Sequence, residues 1–317
     1  MSVVFWACVL LISLVVLAKS ADWFTDAASK VGIYLDVPPF IVGVTIVSIG
    51  TSLPEIISSV IAVFSNASEF VVGNVIGANI ANVFLILGIS AIVARNLTLT
   101  YELLNVDLPL FVGASFFLAI TIWDGVFSRP EAVLFILGYV IYLLYSLSVQ
   151  RKHHFEITKE MRGVMKRKRL EPETFVVLVL APLLIYFSAT YLVKSVVALS
   201  AILNVGEEII AMTAVSLGTT LPELMVSLQA ARHKKPEIAV GNVLGSNVFN
   251  IFMVMGVPGL IGNLIIPNSV LILGLPVMLM ATIIYFFITQ DKQITQWEGW
   301  LLLLFYVLFL GKALALI

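Results

Sequence analysis

Cysteine is almost missing from this chain: Cys8 is the only one, so neither an intrachain disulfide nor a cysteine metal cluster can form. Histidine is nearly as scarce. His153, His154 and His233 all sit in basic stretches, which leaves a zinc hydrolase without ligands. Charge is the third shortage, with 12% charged residues and a net charge of -1, against roughly 25% charged in soluble domains. So weak a field excludes a nucleic-acid partner. Lys and Arg are also absent before the first apolar run, so residues 1–18 do not read as a cleaved secretory signal; apolar spacing continues through Trp23, Phe24 and Ile33.

What is present is apolar, with 60% hydrophobic residues and a mean hydropathy of +1.07. Crossing a hydrocarbon core takes roughly 20 helical residues, and runs of that length recur along the whole chain. They predict ten spans, near 2–32, 39–64, 69–92, 104–123, 130–149, 173–203, 208–231, 237–261, 268–290 and 296–315. The first and sixth are long enough to tilt or project. Basic residues gather between spans: Arg151, Lys152, Lys159, Arg162, Lys166, Arg167, Lys168 and Arg169 in one loop, Arg232, Lys234 and Lys235 in another. The positive-inside rule places both loops in the cytoplasm and, with ten spans, both termini outside. The loop 150–172 is expected to be a solvated linker rather than a lipid-binding regulator.

Residues 41–90 align without a gap on residues 209–258, with about twenty of fifty positions identical. The duplicated unit holds five spans. Five is odd, so the second copy enters the membrane from the other side, as in many secondary transporters. The expected fold is therefore an all-α polytopic membrane protein: ten transmembrane helices as two inverted five-helix repeats, with broken helices at an ion site. The first repeat covers 1–149, the basic cytoplasmic linker 150–172 and the second repeat 173–317.

Each repeat carries Gly-Thr-Ser/Thr-Leu-Pro-Glu in the middle of a span, at 50–55 and 218–223. A proline there removes a backbone donor and should break the helix. Non-helical backbone at membrane depth is tolerated only where protein or a cavity surrounds it. Thr51, Ser52, Thr219 and Thr220 add hydroxyls and Glu55 and Glu223 add carboxylates, an oxygen-only set of the kind calcium takes. A carboxylic residue at a helix centre costs about 2.5 to 3.5 kcal/mol on insertion scales, and nothing basic in the spans neutralises these two. Like charges close together repel unless a cation lies between them. A buried structural pair is the plainer reading, and ion binding fits better.

A second block, GNVIGAN at 73–79 and GNVLGSN at 241–247, spaces glycines four apart, which reads as close helix packing for Gly73, Gly77, Gly241 and Gly245. Asn82 and Asn250, one turn beyond, either bring oxygens to the carboxylates or serve as scaffold. Asn74, Asn79, Asn242 and Asn247 read as partners for the broken backbone. Asp22, Lys30, Glu102, Asp107, Lys194, Glu207 and Glu208 lie near span ends or in the overlong first span, where anchoring at the interface accounts for them.

With GTSLPE and GTTLPE paired to GNVIGAN and GNVLGSN, the chain resembles the calcium/cation antiporter superfamily over its whole length, and within it the prokaryotic sodium/calcium exchangers. The resemblance implies that Glu55 and Glu223 bind calcium. It also implies that sodium is served by hydroxyls and carbonyls at Ser48, Thr51, Ser52, Ser216, Thr219, Thr220 and Ser246, with Asn82 and Asn250 at central polar positions. Ala78 departs from the pattern, since serine is usual there, and Asn250 stands where several members have aspartate. Neither motif ends in the acid-histidine pair of the proton-coupled branch.

Sodium is therefore the expected counter-ion, proton or other-cation coupling the alternative, and a channel a lower-ranked reading. No enzyme is expected, because no nucleophile with a base reaches the motifs. The expected partners are calcium, sodium and the bilayer of a prokaryotic plasma membrane, with no cofactor. One chain supplies both halves of the site, so a monomer is expected to suffice.

Overall fold

The computed structural model describes residues 3–34, 48–98, 101–161, 172–233 and 236–316, and nearly all of them are helical. Five described helices are long and apolar enough to cross a membrane: Val3–Phe24, Glu69–Ala94, Pro172–Leu203, Ala239–Ile261 and Val270–Gln290. A sixth is broken, its parts Glu207–Thr219 and Leu221–Arg232 meeting at a bend of 44°. The matching region of the first repeat is broken in the same way, into Ser48–Thr51 and Leu53–Phe64. The start of the expected second span, 39–47, lies outside the described residues, as do 162–171 of the linker.

Burial sorts the helices into an interior and a rim. In Glu69–Ile80 every residue from Phe70 onward is buried, whereas Val3–Phe24 and Pro172–Leu203 each bury 33% of their apolar window. These two rim helices lie along one another. Leu11, Ile12, Val15, Val176, Val179 and Leu180 are exposed on them. An apolar face that wide belongs against lipid.

Local chemistry explains where helices begin and end. Thr295 caps the helix Gln296–Ala313 through a capping box with Glu298. Glu131 Oε2 accepts from both the amide and the hydroxyl of Ser128, at 2.6 and 2.7 Å, ahead of the helix Arg129–Met161. Asn66, Arg95, Asn204 and Lys292 turn the chain out of helices with φ of 60°, 62°, 54° and 55°.

Four short strands clasp the two halves of the chain. β1 (Asn96–Thr98) pairs antiparallel with β4 (Gln293–Thr295), and β2 (Val126–Phe127) with β3 (Leu264–Ile265). Gln296 N donating to Arg95 O at 3.1 Å and Ile266 N donating to Gly125 O at 2.9 Å extend the clasps.

Two features differ from the sequence reading. The helix of the fifth span does not stop near 149: it runs on to Met161, into the stretch expected as a loop. Several helices also pass through π-helical turns, at Ala81–Leu87, Ala211–Val215, Asn250–Val254 and Val270–Gly274. The first and third of these carry Asn82 and Asn250, which occupy matching places in the two repeats.

Candidate ion site

The breaks fall where proline predicts them. Ser52 and Thr220 have backbone angles of -91°, 11° and -82°, 4°, outside the helical basin, and the helices restart with Pro54 and Pro222 in the first turn. Neither proline supplies an amide hydrogen to the carbonyl four residues before it, at Gly50 and Gly218. One residue after each proline comes the glutamate. Glu55 and Glu223 are each 1% exposed and interact with each other across the two halves.

Each carboxylate is approached from the opposite repeat. Thr219 faces Glu55, while Thr51 and Ser52 face Glu223. Ser52 Oγ donates to Glu223 Oε1 at 3.2 Å. Its repeat-mate Thr220 does otherwise, donating back to Ser216 O at 2.8 Å. Such a bond to the carbonyl one turn back is one that threonine readily makes in a helix. Thr219 Oγ1 donates to Ser216 O at 3.4 Å and Ser216 Oγ to Met212 O at 2.7 Å, leaving the lone pairs of these hydroxyls for a cation. Glu55 Oε1, Glu55 Oε2 and Glu223 Oε2 are buried with no hydrogen-bond partner, and so is Ser246 Oγ. Ser48 opens the first broken helix, and its side chain lies outside the described residues.

The amides divide into ligand-like and structural. Asn82 Nδ2 donates to Asn247 Oδ1 at 3.0 Å, joining the repeats beside the site. Asn82 Oδ1 and Asn250 Oδ1 are buried without a donor. Asn242 holds the backbone next to the second break, donating to Glu223 O at 3.1 Å and to Ser227 Oγ at 2.9 Å. Of the four amides read as backbone partners, only Asn242 plays that part. Asn79 reaches the sulfur of Met278, Asn247 pairs with Asn82, and both polar atoms of Asn74 are buried without a partner. Asn247, read from the sequence as a partner for the broken backbone, instead meets Asn82 of the other repeat. Its signal was the cross-repeat spacing, which does not say which helix faces which.

Glycine sets how closely the repeats approach. A Cβ on Gly73 would run into the backbone of Glu208, and one on Gly77 into the Met212 carbonyl and, at 2.6 Å, the Ser216 hydroxyl. The helix Glu69–Ile80 therefore lies directly on the second broken helix, with Ser216 at the contact. Among the described residues no group of three or more His, Cys, Asp or Glu gathers as a metal cluster. Any cation held here draws on two carboxylates and neutral oxygens.

The model of the family described as sodium/calcium exchanger protein matches residues 5–148 and 173–314. The sodium/calcium exchanger MaX1 of Methanosarcina acetivorans is 35% identical over 95% of this chain and 96% of its own length. The inner membrane protein YrbG of Escherichia coli is 34% identical over 80% of this chain and 78% of its own. Among solved structures, the sodium-calcium exchanger NCX_Mj soaked with 100 mM Na+ and 10 mM Sr2+ superposes with a TM-score of 0.66 at 27% identity, covering 98% of this chain and 99% of that one. The same exchanger soaked with zero Na+ and Ca2+ gives 0.64.

Proposed function

The chain belongs to the sodium/calcium exchanger protein family, and from that premise we propose that it is a secondary active antiporter that exchanges calcium for sodium by alternating access, holding its ions between Glu55 and Glu223. The observation that carries this reading is the pair of buried carboxylates contributed from both halves of the chain, three of whose oxygens accept no well-formed hydrogen bond although threonine hydroxyls face them. An unpaired buried charged group costs several kcal/mol. A divalent ion between the two glutamates balances both charges at once.

The residues divide the work by their chemistry. Glu55 and Glu223, with Thr51 and Thr219 beside them, supply the hard oxygens for calcium. Ser48, Ser52, Ser216, Thr220 and Ser246 are the flanking oxygens for sodium, and Asn82 and Asn250 line the centre. When sodium replaces calcium the same carboxylates are neutralised by monovalent ions, so the two cargoes compete for one site. Competition at a shared site couples their movements.

The inverted repeat gives the site its access to both sides. Counting the first broken helix, Tyr101–Thr121, Arg129–Met161 and Gln296–Ala313 together with the six apolar spans gives ten crossings. With ten alternating crossings β1 and β4 fall on one side and β2 and β3 on the other, so each clasp joins loops that share a side. The two segments matched by the family model, 5–148 and 173–314, support halves at 1–149 and 173–317. The basic linker 150–172 is assigned to the cytoplasm and both termini to the outside of a prokaryotic plasma membrane.

Calcium-45 uptake into proteoliposomes under imposed sodium, potassium or proton gradients tests the proposal. Uptake driven by the sodium gradient alone is the expected result, and uptake driven only by protons would replace sodium as the partner. Glu55→Gln and Glu223→Gln should each abolish sodium-driven uptake while leaving expression and the size-exclusion profile unchanged. Wild-type uptake in either variant would sink the site assignment.

A further inference from the structure

Glu55, Glu223, Ser246, Asn82 and Asn250 share one property: each has a buried side-chain oxygen that takes part in no well-formed hydrogen bond. Asn247, next to Ser246 in the chain, has the opposite pattern. Its oxygen is used, accepting from Asn82 Nδ2 at 3.0 Å, and its nitrogen is the atom buried without a partner. A side chain whose free end carries only N–H donors offers nothing to a cation. Asn247 stands beside the ligands without being one of them.

The helices bring the pair together from opposite repeats. Asn82 lies in the π-helical turn Ala81–Leu87, which packs on Pro236–Phe249, the helix of Asn247, and on Leu221–Arg232, whose first turn holds Glu223. Both amides are fully buried. The two ends of such an amide have opposite uses: the oxygen can take a cation, and the NH2 can take only an acceptor. An acceptor placed on the NH2 therefore decides where the oxygen points. Turning Asn82 over by itself would set its oxygen against that of Asn247, and turning both would keep a bond but present N–H groups where a cation needs oxygen. The hold is made once, not twice. Asn79, the repeat-mate of Asn247, directs its Nδ2 to the Met278 sulfur at 3.8 Å, and its Oδ1 is buried with no partner.

We propose that Asn247 is a positioning residue of the ion site: by accepting from Asn82 Nδ2 it holds the Asn82 oxygen toward the cation, and so raises the affinity for calcium without touching it. This role rests on the antiport reading above, in which Asn82 lines the centre of the site; the bond between the amides does not. A residue of the second half thus acts through one of the first.

The test uses the full-length protein and calcium-45 equilibrium binding, with thermal melts and size-exclusion profiles to establish folding. Asn247→Leu keeps much of the volume and removes the acceptor, and it should weaken calcium binding about tenfold, as loss of a partner that orients a ligand does. Asn247→Asp keeps the acceptor and has no NH2 to turn inward, so it should bind at least as tightly as the unaltered protein. Making the same change in Asn82→Ala separates the effect of the added charge from the hold on Asn82. In that background Asn247→Leu should weaken binding no further, since the two amides act as a unit. Asn79→Leu, at the equally buried repeat-mate, should leave calcium affinity unchanged. Additive losses in the double variant overturn the positioning role, as does an equal loss in Asn79→Leu or unaltered affinity in a folded Asn247→Leu. Should Asn247→Leu not fold, Asn247→Asp decides, and an effect of the same size with and without Asn82 overturns the role. Calcium binding that survives Glu55→Gln intact instead fails the carboxylate assignment alone, because the coupling of Asn82 to Asn247 is read on whatever calcium the protein binds.

Discussion

The buried methyl of Ala78 and the buried hydroxyl of Ser246 occupy matching positions in the two repeats, and only the hydroxyl can take a cation. If each position belongs to a separate sodium site, the first-repeat site is one oxygen short. Two sodium ions for one calcium is electrically silent, whereas three move one net charge and couple exchange to membrane potential by about 2.3 kcal/mol per 100 mV. Ala78→Ser should therefore exchange with a steeper sodium dependence and a stronger voltage dependence than wild type, read as calcium flux at clamped potentials. Equal Hill slopes and equal voltage dependence in the two proteins would dispose of the idea. Ser52 and Thr220 show a comparable asymmetry, one hydroxyl crossing to Glu223 and the other turned back on Ser216. The two halves are related in sequence but do not offer a cation the same oxygens.

Among the elements, the contact of Glu69–Ile80 with the second broken helix is the most exacting, because no side chain separates Gly77 from Met212 and Ser216. Gly77→Val should push the helices apart, lower thermal stability by about 1–3 kcal/mol and abolish calcium uptake by displacing Ser216. Gly113→Ala, where a Cβ meets nothing within 4 Å, should leave both unchanged. Thermal melts and uptake on the two variants check this, and a fully active Gly77→Val would show that the contact is slack. Much of this level was readable beforehand. Pro54 and Pro222 announced the breaks, and glycine spacing announced the close helix contact. The π-helical turns at Asn82 and Asn250 were not legible, since adding one residue to a turn depends on how its side chains pack rather than on hydropathy. The run of helix to Met161 was missed for another reason: hydropathy marks where lipid ends, and the Lys, Arg and Glu that follow are good helix formers in water. Glu208, read from the sequence as a span-end group, is buried in the structure, with Ser269 Oγ donating to its Oε1 from a segment remote in sequence.

For the whole molecule, the proposed odd number of spans per repeat would fix the sidedness of every loop. Single cysteines at Glu160 and after Ala313, in a Cys8-free background, should react with an impermeant thiol reagent from opposite sides of the membrane. Labelling of both from one side would refute the inverted arrangement. The clasps between the halves also bear on how such a protein can move. β1–β4 and β2–β3 are two separate pins, each passing from the first half to the second. The clasps tie the helices that flank them into one frame: Glu69–Ala94, Tyr101–Thr121, Arg129–Met161, Ala239–Ile261, Val270–Gln290 and Gln296–Ala313. Four parts carry no pin, namely the two rim helices and the two broken ones. The broken ones are tied to that frame by other means, Gly73 and Gly77 lying on the backbone of one and Asn242 donating to Glu223 O, so the glutamates are fastened to the frame rather than to the rim.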